Sequence, residues 1–436
     1  MIRLALALLI ALCAVPARAA VEIREVTSPG GIDAWLVEEH SIPFTALEIR
    51  FAPGAALDRD GRRGAVNLMA GLLEEGTGDL DAQGFAAARD ALAASFSYDA
   101  YDDALTISAR FLTENRDEAV DLLRRSIVEP AFPQDAVDRV RDQVLSNIRS
   151  DATDPGSIAR QAWDAAAFGD HPYGVPSDGS VDSVTALTRD DIVQAHRDVL
   201  VRDNVYVGAV GDITPDELGG ILDALFGALP QSTDAQIPGD AGWRAEPGTQ
   251  VIDYPTPQSV ILFGHEGIER DDPDFFAAYV LNEIFGGSGF NSRLMEEVRV
   301  KRGLTYGIGT YLAPMDFAEV IGGQAQSSNA TAGALIDVVR DEWDRVAQGV
   351  TEAELEAAKT FLTGSYPLRF DGNANIASIL VGMQMDDLEP AYIETRNDRI
   401  DAVSLDDIRR VAERVYRGAD LSFLVVGQPE GIEPTD

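Results

Sequence analysis

Two stretches of similar length flank a segment rich in Pro, Gly and small polar residues, 230–250, and both run through the same order of hydrophobic patterns. In the first, apolar runs at 31–38 and 45–52 read as strands. Residues 64–75 and 85–95 read as helices, and 95–101 with 104–112 as a strand pair. Helical spacing returns at 117–129, 134–150 and 190–200, before a strand at 204–211 and a helix at 215–229. The second stretch has a strand at 259–267, a helix at 275–286 and a strand pair at 303–312 and 317–326. A helix pair at 334–348 and 351–367 and a last strand at 421–427 follow. This order predicts a duplicated α+β architecture. Two domains, 20–229 and 251–436, are joined by the linker 230–250, each sheet packed under its own helices. The repeat lies in rhythm and not in residue identity.

The first residues read MIRLALALLIALCAVPARAA, with Arg3 ahead of an apolar run and Ala17-Arg18-Ala19 at its end. A charged start, a short apolar core and an A-x-A site predict a cleaved signal peptide over 1–19, and hence a soluble exported, periplasmic chain. The single cysteine, Cys13, lies inside that leader, so the mature chain is expected to be held by burial without disulfides. No later segment is an uninterrupted apolar run of about 18 residues, so no membrane span is expected. The formal net charge of −38 argues against nucleic acid and anionic membranes as partners, since both recruit basic patches.

Residues 64–77 read GAVNLMAGLLEEGT, a helix running into a Gly-Thr stop. Asn67 and Gly71 are four apart and share one helical face, with Ala70 beside them. Two histidines at that spacing can grip a zinc ion, and a neighbouring glutamate can serve as general base. Here the amide of Asn67 is a poor zinc donor, Gly71 has no side chain and Ala70 cannot accept a proton. The four histidines, His40, His171, His196 and His265, pair with one another at no metal-ligand spacing. His171, in HPYG, reads as a loop residue packing on Tyr173, and His265 as a domain-edge residue. Further on, residues 286–306 read GGSGFNSRLMEEVRVKRGLTY. Glycines at Gly286, Gly287 and Gly289 let a backbone approach closely. Arg299 and Tyr306 supply a fixed cation and an O–H donor suited to a carbonyl that becomes an oxyanion. Read alone, that pair also fits a surface ion pair from Arg299 to Glu296 or Glu297 and a tyrosine opening a core strand. No GK[ST] and no G-x-S-x-G is present, so neither a phosphate loop nor a serine hydrolase is indicated.

Together with NVYVGAVGDIT (204–214), these stretches resemble the pitrilysin–insulinase family of zinc peptidases, which includes the mitochondrial processing peptidase. The resemblance covers nearly the whole mature chain. It implies two homologous metallopeptidase-type domains forming a half-ring, with H-x-x-E-H expected where Asn67, Ala70 and Gly71 stand. It also implies a third ligand, a glutamate, where Asn147 stands, and a cap for the helix after 212–214. All four functional positions are vacant together, so no metal is expected in this chain. In the family, Arg and Tyr seven residues apart face the zinc across a closed chamber, and Arg299 and Tyr306 keep that spacing, whereas Arg302 does not. The resemblance therefore implies a non-catalytic subunit, inactive alone. Its partner would be a homologous zinc-bearing subunit, its substrates peptides, and its contribution Arg299, Tyr306 and the glycine loop. The alternative is a stand-alone peptide-binding or scaffold protein of the same fold.

Overall fold

The computed structural model describes residues 22–287, 289 and 291–432. The leader and Cys13 lie outside the described residues. The first half begins with β1 (Arg24–Thr27), β2 (Asp33–Glu38) and β3 (Phe44–Phe51), then α1 (Ala65–Ala70) and the short strands β4 (Gly76–Thr77) and β5 (Leu80–Asp81). It continues with α2 (Ala82–Ala91), β6 (Ser95–Ala100), β7 (Leu105–Leu112), α3 (Arg116–Val128), α4 (Gln134–Asp151) and α5 (Pro155–Phe168). It closes with α6 (Val181–Ala186), α7 (Arg189–Val199), β8 (Val205–Gly211) and α8 (Pro215–Phe226). The second half contains β9 (Gly248–Asp253), β10 (Gln258–Glu266), α9 (Phe275–Gly286), a π-helical segment (Met295–Val300), β11 (Ile308–Pro314) and β12 (Glu319–Ser328). Then follow α10 (Ala332–Val346), α11 (Glu352–Ser365), α12 (Asn373–Met385), α13 (Tyr392–Asp401), α14 (Leu405–Val415) and β13 (Ser422–Gly427).

The expected duplication is visible in the wiring. The first sheet has the order β1-β2-β8-β3-β7-β6 and the second β11-β12-β10-β13-β9. Read from β6 and from β11, the two orders coincide strand for strand, with β1 as the extra edge. Even the single parallel pair recurs, β2 with β8 and β9 with β13, while every other pair in these two sheets is antiparallel. In β3 the alternation FTALEIRF sends Leu47, Ile49 and Phe51 into a core with α1 and α3, and turns Glu48 and Arg50 to the opposite face. In β10, Ile261 and Phe263 enter the second core with α9 and α10.

On their other faces the two halves exchange a helix. α5, from the first half, lays Ala159 and Trp163 on Leu262, Leu424 and Val426 of the second sheet. α12, from the second half, lays Ile376, Ala377, Leu380 and Met383 on Trp35, Val37 and Val210 of the first. Each sheet thus has its own helices on one face and a helix of the opposite half on the other, where the sequence pattern suggested its own helices alone. The approach of α12 is close enough to need Gly208 in β8, where a Cβ would lie 2.5 Å from the Ala377 carbonyl. Gln384 Nε2 donates to Val207 O at 3.0 Å and Arg50 Nη2 to Ser378 Oγ at 2.9 Å across the same contact.

Two local expectations change. The helix expected over 64–75 ends as a regular α-helix at Ala70. Beyond Gly71 the chain tightens to i→i−3 bonds, Leu72 N to Met69 O and Leu73 N to Ala70 O, which swing Leu72 and Leu73 into the core. The segment expected as linker ends in β9, which begins at Gly248, because it pairs in parallel with β13. Before β9 it is anchored: Ala241 N donates to Phe317 O, Arg244 N donates to Ala167 O, and Trp243 packs edge-on against Trp163.

Candidate functional site

The vacated metal positions lie on α1 and α4, which pack together. Asn67 is half-buried on α1, Ala70 is buried, and Gly71 is exposed at the helix end. A Cβ on Gly71 would meet Val140 Cγ1 of α4 at 3.2 Å. Asn147 lies seven residues beyond Val140, two turns along the same face of α4. It is exposed and accepts from Gln143 Nε2 at 3.0 Å. The nearby acids are engaged elsewhere: Glu74 accepts from Arg89 (2.9 Å) and Glu75 from Arg139 (3.0 Å). Burial pushes the Glu74 carboxyl up, opposed by Arg89. Two neutral amides, an alanine and a glycine do not make a zinc donor set. Among the described residues, no three His, Cys, Asp or Glu side chains are grouped to hold a metal ion.

The histidines have other tasks. His171 packs on Tyr173 with ring centroids 4.9 Å apart, as the HPYG reading expected, and its Nδ1 accepts from Tyr173 N. His40 lies between Asp212 (2.8 Å) and Glu38 (3.2 Å). His196 Nε2 bonds Ile127 O at 2.7 Å. His265 is not at a domain edge: it is 1% exposed under Trp343, because β10 is the central strand of its sheet. Thr214, two residues past Asp212, caps α8 through a reciprocal box with Glu217, as expected for that stretch.

The second-half residues converge. A groove of about 770 Å³ is lined by Gly286, Gly287 and Gly289 together with Arg299 and Tyr306. α9 delivers the chain to the glycines. Gly286 and Gly287 also have an internal reason, since a Cβ would strike Thr310 Oγ1 at 2.4 Å and Glu283 Cα at 2.6 Å respectively. Gly289 is different: its φ of 145° favours glycine, and its would-be Cβ faces open space. Arg299 lies in the π-helical segment, where Lys301 N donates to Glu296 O five residues back. Glu297 is occupied by Lys301 and Arg302, each at 2.6 Å, and those bonds hold its carboxyl below the usual range. Arg302 is absent from the groove lining.

Tyr306 is 86% exposed and precedes β11 by two residues, so it does not open a core strand. Thr305 holds it there: the Thr305 hydroxyl donates to Gln326 O (2.6 Å) and accepts from Gly307 N (3.1 Å). The groove floor was not foreseen. Gln258, Gln324 and Gln326 present carboxamides from β10 and β12, and Tyr311 of the edge strand β11 borders them. The alternation of Gln324 and Gln326 in β12 was the available signal. Near Tyr311, burial pushes the Asp164 carboxyl of α5 up to about 7, against the pull of Arg160. No vacated metal position lines this groove.

The model of the insulinase peptidase family, M16, matches residues 35–178, and that of the M16 peptidase inactive domain matches residues 186–362. The chain belongs to the M16 (insulinase) peptidase family. A Helicobacter pylori protein called a non-peptidase homolog is 28% identical over 403 residues, covering 89% of this chain and 90% of that one. A Streptomyces coelicolor protein called an uncharacterized zinc protease is 28% identical over 412 residues, covering 93% of this chain and 89% of that one. The crystal structure of a peptidase M16 inactive domain from Pseudomonas fluorescens superposes with a TM-score of 0.86 at 28% identity, covering 95% of this chain and all of that one. M16 membership agrees with what GAVNLMAGLLEEGT and GGSGFNSRLMEEVRVKRGLTY suggested.

Proposed function

We propose that this chain is the non-catalytic subunit of an exported, periplasmic, two-subunit zinc peptidase. It binds peptide in the groove and turns Arg299 and Tyr306 toward the active centre of a homologous, zinc-bearing partner. The observation that carries the reading is a separation. The metal positions of the first half hold no metal ligands, while the groove of the second half collects Gly286, Gly287, Gly289, Arg299 and Tyr306 in one place. A zinc-bound water and its base come from the partner in this reading. This chain supplies donors for the carbonyl oxygen as it gains charge. A second reading, peptide binding without hydrolysis, draws on β11 as the sheet edge, where an extended peptide can add by backbone hydrogen bonds.

The test is to mix the mature chain with a zinc-bearing M16 chain from the same source and follow chelator-sensitive peptide cleavage. The expected result is little cleavage and no stoichiometric zinc in this chain alone, with cleavage rising in the mixture. One tightly held zinc per chain, with chelator-sensitive activity in its absence of a partner, overturns the proposal. Peptide binding without any rise in cleavage favours the second reading.

A further inference from the structure

A second cavity, of about 310 Å³, lies in the second half and shares no residue with the Arg299–Tyr306 groove. It is framed by α9, α12, α13 and the turn that follows α11. Its wall is aromatic, with Phe276, Tyr279, Tyr366 and Tyr392, and Ile379 and Met383 of α12 add an apolar side.

Arg396 of α13 lines this cavity and is only 5% exposed. Its Nη1 donates to Leu362 O (3.2 Å) and Asn397 Oδ1 (3.0 Å), and its Nη2 to Tyr279 OH (3.3 Å). Its guanidinium stands over the Tyr366 ring at 4.2 Å and the Tyr279 ring at 5.5 Å. None of these partners among the described residues is a carboxylate. Leu362 lies in the last turn of α11, whose carbonyl end offers roughly half a negative charge. That leaves much of the buried cation uncompensated, and buried charges are rarely left so. Of the five guanidinium N–H groups, three are taken by these contacts.

Two more cations reach the cavity. Arg369 is exposed on the rim. Arg270 lies over Phe275 at 4.4 Å, donates to Tyr392 OH at 3.1 Å and faces the one lining carboxylate, Asp386, at 3.4 Å. Three guanidinium groups line the cavity against one carboxylate, while the adjoining larger cavity, which shares Arg270 and Asp386, carries the acids, among them Asp271, Asp274 and Asp316.

We propose that this cavity binds a carboxylate carried on an apolar body. The carboxylate meets Arg396 and Arg369, whose planar forks suit it, and the body lies among Tyr366, Tyr392 and Ile379. A free aromatic acid and the carboxy end of a peptide with an apolar last residue share this chemistry. The site needs no partner subunit and does not depend on the reading of the groove.

The test titrates the whole mature chain by calorimetry with 3-phenylpropionate, 3-phenylpropionamide, and an N-acetyl Ala-Ala-Phe peptide as free acid and as amide. The acids should bind on the order of tenfold more tightly than the amides, as expected for charge-assisted bonds. The tighter of the two acids identifies the source. Arg369→Gln, on an exposed side chain, should weaken the acids severalfold, and Ile379→Trp should abolish their binding by filling the cavity. Arg396→Gln should do so too where it folds. Equal binding of acid and amide, no saturation by roughly 10 mM, or acids indifferent to both Arg369→Gln and Ile379→Trp overturns the proposal. So does loss of binding in Arg299→Ala, which would place the ligand in the groove.

Discussion

Arg299 and Arg302 stand three residues apart and do different things. Arg302 closes on Glu297 through its side chain and its carbonyl, while Arg299 lines the groove with Tyr306. Under the proposed function, a donor that meets the carbonyl oxygen more strongly in the transition state acts on turnover. In the mixture with the zinc-bearing subunit, Arg299→Ala and Tyr306→Phe should each lower turnover by about 100- to 1000-fold while assembly persists, as for other oxyanion donors. Arg302→Ala should be nearly silent. Steady-state rates and gel filtration on the same samples check both, and an Arg302 as sensitive as Arg299 would show that the wrong arginine was chosen. A second residue has a pH signature. Asp58 accepts from Gly64 N (2.8 Å) and Val66 N (2.9 Å) at the start of α1. Burial pushes its carboxyl up to about 6, against Arg63 and those two donors. Between about pH 4 and 6 the folded chain keeps a proton that the unfolded chain has released, so this group's contribution falls as pH rises through that window. Asp58→Asn has no such titration. Its stability relative to the native chain should therefore rise from pH 4 to pH 6, by on the order of 1–3 kcal/mol. Denaturant unfolding at both pH values measures it; a flat difference would show that burial does not hold the proton.

At the scale of elements, α1 and α4 keep the setting of a metal site without its donors. Restoring them by Asn67→His, Ala70→Glu, Gly71→His and Asn147→Glu should give a folded chain that takes up one zinc. The obstacle is visible, because the new Cβ at 71 presses on Val140 at 3.2 Å. A cost of about 1–3 kcal/mol is expected from that overpacking, and adding Val140→Ala should recover part of it. Metal analysis after dialysis against zinc checks the outcome; a folded variant without zinc would mean that these helices are not a vacated site. The elements themselves were largely legible. Strands with clean alternation, such as β3, and helices with a single apolar face, such as α10, announce themselves by period. α5, α6, α12, α13 and α14 did not, and α5 and α12 are the two exchanged helices. α12 reads NANIASILVGMQM, with apolar residues around most of its girth, because it touches a sheet on one side and the second cavity on another.

Over the whole molecule, the exchange ties the halves together. The first sheet without α12 exposes Trp35, Val37 and Val210, and the second without α5 exposes Leu424 and Val426. The junction is reinforced where Tyr173, whose hydroxyl is hydrogen-bonded to Asp103, accepts from Phe317 N at 3.1 Å. Gly208→Ala probes the exchange, since its Cβ would meet a helix backbone and not a flexible side chain. It should lower stability by about 1–3 kcal/mol and push α12 outward. Unfolding midpoints and protease cleavage near 370–390 would register it. A neutral substitution would show that the contact is looser than 2.5 Å implies.

Local pattern by itself determined most elements, the duplicated order, and which side chains could form a site. Those follow from side-chain period and from residue chemistry at short spacing, both of which survive in a linear string. The tertiary structure decided the helix exchange, the early end of α1, the glutamine floor and the burial of Arg396 away from any carboxylate partner among the described residues. Each depends on which surfaces meet across hundreds of residues, as Gly208 meets Ala377 and Leu362 meets Arg396. Burial, and with it the cost of an unpaired charge, is a property of that meeting and not of sequence neighbours.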